Sequence, residues 1–297
     1  MAERGMEHDR SGRGGAPGEG ANGGPGAEPM VLREERGGVV HLTMNRPAGF
    51  NTLSDAMLGA LEAEIAALAE DQRARVVVLG GRGKAFCAGH DLKEIRADRR
   101  ADAVRALFTR CSRLMLSLTR LPQPVIARVD GIATAAGCQL VAACDLAVCS
   151  ETSRFATSGV KYGLFCSTPM VALTRNVPRK PAMEMLLTGD FIDAGEALRL
   201  GLVNAVAPAD GLDAAIGALA ARLLDKPRDV LALGKRAFYA QAEMGLEEAY
   251  AATTEVIVDN AMRADFEEGL AAFVEKRKPA WPDSRASGDL ARTGEGG

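Results

Sequence analysis

Apolar residues recur with two different periods along this chain, and the alternation between them predicts its elements. Val39–Met44 (VVHLTM) alternates apolar and polar positions between Gly38 and Pro47, which predicts a strand. Ser54 then stands as an N-cap before Met57, Leu58, Leu61, Ile65 and Leu68, spaced three and four apart as one amphipathic helix face. Arg75–Leu79 (RVVVL) is a short apolar run closed by Gly80 and Gly81, the pattern of a buried parallel strand. Leu107, Leu114, Leu118 and Leu121 mark a second helix that must end before Pro122 and Pro124. Val125–Val129 reads as the next strand, a helix opens near Ala135 with Leu140–Ala143 on its apolar side, and Leu146–Cys149 is strand-like again.

Strand, helix and strand in turn predict an α/β fold with right-handed crossovers. After Thr188 the pattern is mostly helical: Asp193–Arg199, Leu212–Leu224, Val230–Ala242, Glu247–Met262 and Glu267–Glu275, interrupted by a strand fragment at Val203–Val206. An α/β half is thus followed by a helical region, and no internal repeat is evident.

Composition adds limits. With 47% hydrophobic, 25% charged and 4% aromatic residues, the bulk of the 297-residue chain is globular. Nine of its glycines and Pro17, Pro25 and Pro29 lie in the first 30 residues, a segment with too little large apolar surface to offset its own ordering. The expected organisation is a disordered tail over 1–29, an α/β core over 30–205, a helical C-terminal region over 206–282 and a second disordered tail over 283–297. No run approaches about 18 apolar residues, so no membrane span is expected. The N-terminus lacks the apolar core of a secretory signal, and its acids (Glu3, Glu7, Asp9, Glu19) are unlike a transit peptide. The net charge of −3 gives no sign of a nucleic-acid partner.

The six cysteines (Cys87, Cys111, Cys138, Cys144, Cys149, Cys166) form no C-x-x-C or C/H pairing and read as reduced core thiols. Three histidines (His8, His41, His90) are too scattered for a zinc site, so no metal is expected. Gly80-Gly81-Arg82-Gly83-Lys84 invites a phosphate-loop reading, but Val78 stands where the first glycine belongs and Ala85 where Ser or Thr must follow the lysine. Neither a dinucleotide-binding glycine pattern nor a G-x-S-x-G nucleophile turn is present.

Two runs of small residues after predicted strands stand out: Lys84–Lys93 (KAFCAGHDLK) and Asp130–Leu140 (DGIATAAGCQL). Small residues let backbone approach a ligand, and free N–H groups at a helix start favour developing negative charge. Two such turns, brought together, would make an oxyanion hole from main chain. Small-residue turns also serve tight packing, so the residues alone leave both readings open.

The same runs resemble the crotonase superfamily of enoyl-CoA hydratases and isomerases. The similarity is carried by Met44-Asn45-Arg46-Pro47 with Asn51, Lys84–Leu92, Pro124–Ala127 with Gly131, Ala136-Gly137-Cys138, Cys144-Asp145, Leu187-Thr188-Gly189, Gly201-Leu202-Val203 and Phe273–Arg277. Ala135–Gln139 and Gly163–Pro169 most resemble one subgroup of it. The resemblance implies a spiral of ββα units with a C-terminal helical trimerisation region, assembled as a homotrimer or a dimer of trimers. It implies an acyl-CoA ligand whose thioester oxygen is held by the backbone N–H groups of His90 and Ala136, with Lys84, Ala88, Asp91 and Leu92 flanking the CoA adenine and phosphates. Coenzyme A would then be part of the substrate, and no separate cofactor is expected.

One departure qualifies this. Family hydratases use two glutamates, which would fall at Gln139 and Gly159. Gln139 can bond a water but cannot take its proton, and Gly159 has no side chain. General acid–base help is worth about 10²–10⁴ in rate, so hydratase activity is expected to be weak or absent. Cys166, Ser167 and Thr168 form a polar cluster expected to face the acyl pocket. Cys166 as a nucleophile would need His90 as its base, Tyr162 is expected to pack, and Asp145 reads as structural. The resulting expectation is an enoyl-CoA hydratase-like protein of acyl-CoA metabolism that binds a thioester without the usual glutamate pair. The alternatives are a decarboxylase, a thioesterase or a non-catalytic acyl-CoA-binding regulator. The expected location is cytoplasmic, with mitochondrial as the alternative.

Overall fold

A computed structural model describes residues 28–282. The strands are β1 (Val31–Arg36), β2 (Val39–Met44), β3 (Val76–Gly81), β4 (Ala85–Cys87), β5 (Val125–Val129), β6 (Ile132–Thr134), β7 (Leu146–Ser150), β8 (Arg154–Ala156), β9 (Ile192–Asp193) and β10 (Ala205–Ala207). The helices are α1 (Asp55–Glu70), α2 (Leu92–Ala97), α3 (Ala101–Arg120), α4 (Ala136–Ala143), α5 (Ser167–Leu173), α6 (Arg179–Thr188), α7 (Ala194–Arg199), α8 (Leu212–Leu224), α9 (Arg228–Gln241), α10 (Leu246–Ala261) and α11 (Ala264–Glu275).

Among the described residues the strands form two sheets, a larger one in the order β1-β2-β3-β5-β7-β10 and a smaller one in the order β4-β6-β8-β9. β1 and β2 are antiparallel, and the rest of the large sheet is parallel. Each of β3, β5 and β7 runs directly into a short strand of the small sheet, and helices follow. This is the expected ββα spiral, a repeat of structure that leaves no repeat in the sequence. Period-two alternation divides the core: Val77 and Leu79 face the side covered by α1, α3 and α4, while Val76 and Val78 face Leu212, Ile216 and Ala220 of α8. The large sheet is therefore buried on both faces, which is why its parallel strands read as unbroken apolar runs.

The periodic elements stand where the pattern places them. β2, β5 and α8 have the expected limits, and the buried residues of α1 are Met57, Leu58, Leu61, Ile65 and Leu68. The hydroxyl of Ser54 accepts from the Met57 amide at 3.2 Å, as an N-cap does. The strand fragment expected at 203–206 lies slightly later, as β10, and extends the large sheet beside β7.

The tails expected to be disordered lie outside the described residues, apart from Glu28 and Pro29. Those two are tied down by Asn45, whose side-chain amide donates to the Glu28 carboxylate (2.9 Å) and the Pro29 carbonyl (3.1 Å). Among the described residues no helix is long and apolar enough to cross a membrane.

Candidate functional site

The two small-residue turns meet. Gly89, at φ +89°, lies against the start of α4 so closely that a Cβ on it would come 2.9 Å from the Cβ of Ala135. Ala135 itself holds φ +51°, a left-handed conformation uncommon for a residue with a side chain. Its amide donates to the Ala156 carbonyl at 3.0 Å, which ties the turn to β8. Two residues on, Gly137 has no room for a Cβ, which would lie 2.0 Å from the carbonyl oxygen of Cys87. A β-branched or even an alanine side chain there would push α4 away from the strand it covers.

The first turn is held from below by Asn51, which is fully buried with φ +51°. Its side-chain amide donates to the carbonyls of Arg82 (3.0 Å) and Ala85 (2.8 Å), and its oxygen accepts from the Arg46 amide (2.9 Å). The turn's far end is pinned where the Leu53 amide donates to the Gly89 carbonyl at 2.8 Å. The result is a rigid stretch of backbone delivering His90 to the first turn of α4. Among the described residues no backbone acceptor is recorded for the amide of either His90 or Ala136. For Ala136 this follows from its place, since the first N–H groups of a helix have no partner within it.

Above these amides lies a pocket of about 270 Å³. His90, Ala135 and Ala136 line it together with Ala88 and Leu92, with Ile95 and Phe108 of α2 and α3, and with Ser158, Gly159, Tyr162 and the run Leu164–Pro169. The expected cluster of Cys166, Ser167 and Thr168 does line it. The phosphate-side candidates divide. Ala88 and Leu92 reach the pocket, whereas Lys84 is an exposed cation on the loop that Asn51 clamps. Asp91 caps α2 by accepting from the Lys93 amide (3.0 Å) and pairs with Arg46 (3.1 Å). Burial alone would raise the Asp91 carboxyl; the Lys93 amide and the Arg46 guanidinium outweigh it and hold it below the usual carboxylate range.

The two positions where the resemblance would put glutamates differ from each other. Gln139, 4% exposed on α4, keeps its Oε1 without a partner. At Gly159 the chain folds back on itself: the Leu164 amide donates to the Gly159 carbonyl at 3.1 Å. A Cβ on Gly159 would lie 2.3 Å from the Leu164 carbonyl oxygen and 2.9 Å from the Cys166 sulfur. The glycine is thus required by close approach, and the space a carboxylate would fill is taken by the chain.

Burial pushes the Cys166 thiol up from its ordinary value, against a smaller opposing hydrogen bond from Gly159. Burial likewise lowers His90 to about 4. A thiolate–imidazolium pair needs both shifts in the other direction, so the nucleophilic reading of Cys166 with His90 as its base loses its physical basis. Tyr162, expected to pack, is instead 73% exposed at the pocket's mouth. Asp145 is structural, as read: its carboxylate accepts from the Val125 amide (2.7 Å) and Tyr239 (2.9 Å) and pairs with Lys235 (2.7 Å).

Sequence reasoning missed Phe108, Ile95 and Ser158. Phe108 lies one position off the apolar stripe of α3, in a chain with few aromatic residues, and its ring centroid is 4.7 Å from that of His90. An off-stripe aromatic was the available signal. Ser158 shares a 2.8 Å hydrogen bond with Thr134, a contact between segments that no local pattern announces. Among the described residues no group of three or more His, Cys, Asp or Glu is placed to hold a metal ion.

The sequence pattern described as enoyl-CoA hydratase/isomerase matches residues 34–284. Enoyl-CoA hydratase domain-containing protein 3, mitochondrial, of Xenopus laevis is 45% identical over 256 residues, covering 86% of this chain and 87% of that protein. A crystal structure of an enoyl-CoA hydratase from Mycobacterium smegmatis is 54% identical with a TM-score of 0.84, covering 86% of this chain and 99% of that one. The crystal structure of human enoyl-CoA hydratase domain-containing protein 3 is 44% identical with a TM-score of 0.82, covering 85% of this chain and 100% of that one.

Proposed function

Because the chain belongs to the enoyl-CoA hydratase/isomerase family, we propose that its pocket binds an acyl-CoA thioester and polarises it through the main-chain amides of His90 and Ala136. The observation that carries this reading is the pair of amides without backbone acceptors, set where two turns converge at an apolar pocket. Donors fixed where an enolate oxygen develops are worth about 10²–10³ in rate each. The start of α4 adds its own positive end to the same place. Being main chain, these donors do not depend on Ala136 having any particular side chain. Lys84 offers an exposed positive charge to the CoA phosphates, while Asp91 acts by capping α2 and holding Arg46. Coenzyme A enters as part of the substrate, and the reading calls for no separate cofactor.

Proton transfer is where this chain falls short of the family's chemistry. Gln139 can orient a water but not deprotonate it, and no side chain fits at Gly159. Hydration is therefore weak or absent, and the activity nearest the geometry is binding with enolate stabilisation in acyl-CoA metabolism. A non-catalytic acyl-CoA-binding role is the second reading, favoured by the space at Gly159 being closed. Loss of the enoyl absorbance of crotonyl-CoA with the purified protein tests the first point. Turnover near that of hydratases with both acids would sink it.

The reading extends to assembly. α10 buries none of its residues within the chain, and Leu246, Tyr250, Ile257, Val258, Phe273 and Val274 of α10 and α11 are exposed. Apolar surface of this extent is the mark of an interface, and a homotrimer, alone or paired into a hexamer, would cover it. For location, the cytoplasmic expectation draws nothing from the relatives, whereas the name of the Xenopus laevis protein favours the mitochondrial alternative; organelle fractionation distinguishes the two.

A further inference from the structure

The large side chains around the pocket divide by exposure. Leu92, Tyr162, Leu164 and Phe165 are exposed, whereas Ile95 and Phe108 are half-buried, and Phe108 is the largest of the sheltered side chains. α3 buries Cys111, Leu114, Met115 and Leu118 in the core, and Leu107 packs against that core from its edge. Phe108, one turn before Cys111, lines the cavity instead, with its ring centroid 4.7 Å from that of His90. Among the described residues that line the pocket, none is Asp, Glu, Lys or Arg.

We propose that Phe108 is the specificity-determining residue that limits the length of the acyl chain. The proposal rests on the acyl-CoA reading above and adds to it which acyl groups the pocket accepts. A thioester held at the His90 amide sends its two halves in different directions. The coenzyme half is bulky and carries phosphates, whose charge is costly to bury without a partner, so it belongs on the exposed side. The acyl half then runs to the sheltered side and meets the Phe108 ring, beside the residue that holds its carbonyl. An uncharged apolar chain suits that side, since a carboxylate at its end would be buried with no counter-charge. The space is also small: about 270 Å³, below the range of roughly 300–1,000 Å³ for ordinary small-molecule sites. Because Phe108 stands against His90, its ring closes the sheltered side within the first few carbons beyond the thioester. Short chains fit, and longer ones must displace the ring or turn back towards solvent.

The test titrates the full chain at equilibrium with acetyl-CoA, butyryl-CoA, octanoyl-CoA and free coenzyme A. Wild type should bind octanoyl-CoA no more tightly than butyryl-CoA. In Phe108→Ala, octanoyl-CoA should tighten about tenfold relative to butyryl-CoA, the scale of about two newly buried methylenes. Phe108→Trp should act in the opposite direction, weakening butyryl-CoA about tenfold relative to acetyl-CoA. Affinity for free coenzyme A should be the same in all three proteins. Because the variants shift selectivity in opposite directions, failure of one to fold leaves the other as the test. If wild type gains affinity with the longer chain, or a folded variant keeps the wild-type ratios, Phe108 is not the limit and the acyl-CoA reading survives. A change shared equally by free coenzyme A would place Phe108 on the coenzyme side and overturn the proposal as well. If no ester binds, the acyl-CoA reading falls and this proposal with it.

Discussion

His90 is neutral because burial disfavours its charged form, and the sign of that effect sets a pH dependence. Its pKa is about 4 in the folded chain against an unfolded value near 6.5. The unfolded state therefore binds more protons between these values, and stability is full above about pH 6.5 and lost as pH falls towards 4. At pH 5 the loss is about 2 kcal/mol by this linkage. His41, also lowered chiefly by burial, adds in the same direction, so the wild type alone does not isolate His90. His90→Phe should remove its share: chemical denaturation at pH 7 and pH 5 should show a smaller stability loss in the variant by that amount. An equal loss in both proteins would mean that the ring is not desolvated. Gly159 gives a second residue-scale expectation. Gly159→Ala should destabilise the chain by roughly 1–3 kcal/mol, because its Cβ meets a backbone carbonyl that cannot swing aside. Gly159→Glu should then lose stability without gaining hydration, whereas Gln139→Glu keeps the side chain's shape and changes only its charge and protonation.

At the scale of elements, α9 is attached by a buried ion pair. Lys235, whose side chain is 7% exposed, reaches Asp145 (2.7 Å) and the carbonyls of Leu118 (2.8 Å) and Gln123 (2.9 Å). Burial alone lowers the Lys235 ammonium, and Asp145 partly opposes that shift. Lys235→Met should cost about 3–5 kcal/mol, since it strands the carboxylate and two carbonyls together. Hydrogen exchange should show the loss spreading from α9 into the end of α3; protection unchanged in both would remove the anchor from the account. The pair also shows what a sequence can and cannot reveal about elements. Asp145 was legible as structural from its turn, but its partner, on a helix far along the chain, was not. β1 escaped the pattern because VLREER lies at the edge of the sheet and carries charge instead of alternating. α5 and α6 are short and lack a clean apolar stripe, whereas α1 and α8 bury one full face and were plain. The two turns could be read as small-residue runs, but their meeting depends on Gly137 and Gly89 packing across segments far apart in the chain.

The whole molecule has the fold of its family, with Gln139 and Gly159 where the proposed reading looks for acids. Its apolar C-terminal helices carry a prediction at this scale. Sedimentation should give three times the 31.2 kDa chain mass, or twice that again. Ile257→Glu combined with Phe273→Glu should shift the distribution towards single chains, and a wild-type monomer would contradict the assembly. The central claim, binding without hydration, is tested most directly by calorimetric titration of crotonyl-CoA into the purified protein. A saturable binding heat that ends with each injection, with no continuing heat of turnover, is the predicted result. Sustained turnover heat, or no binding heat at all, would contradict it.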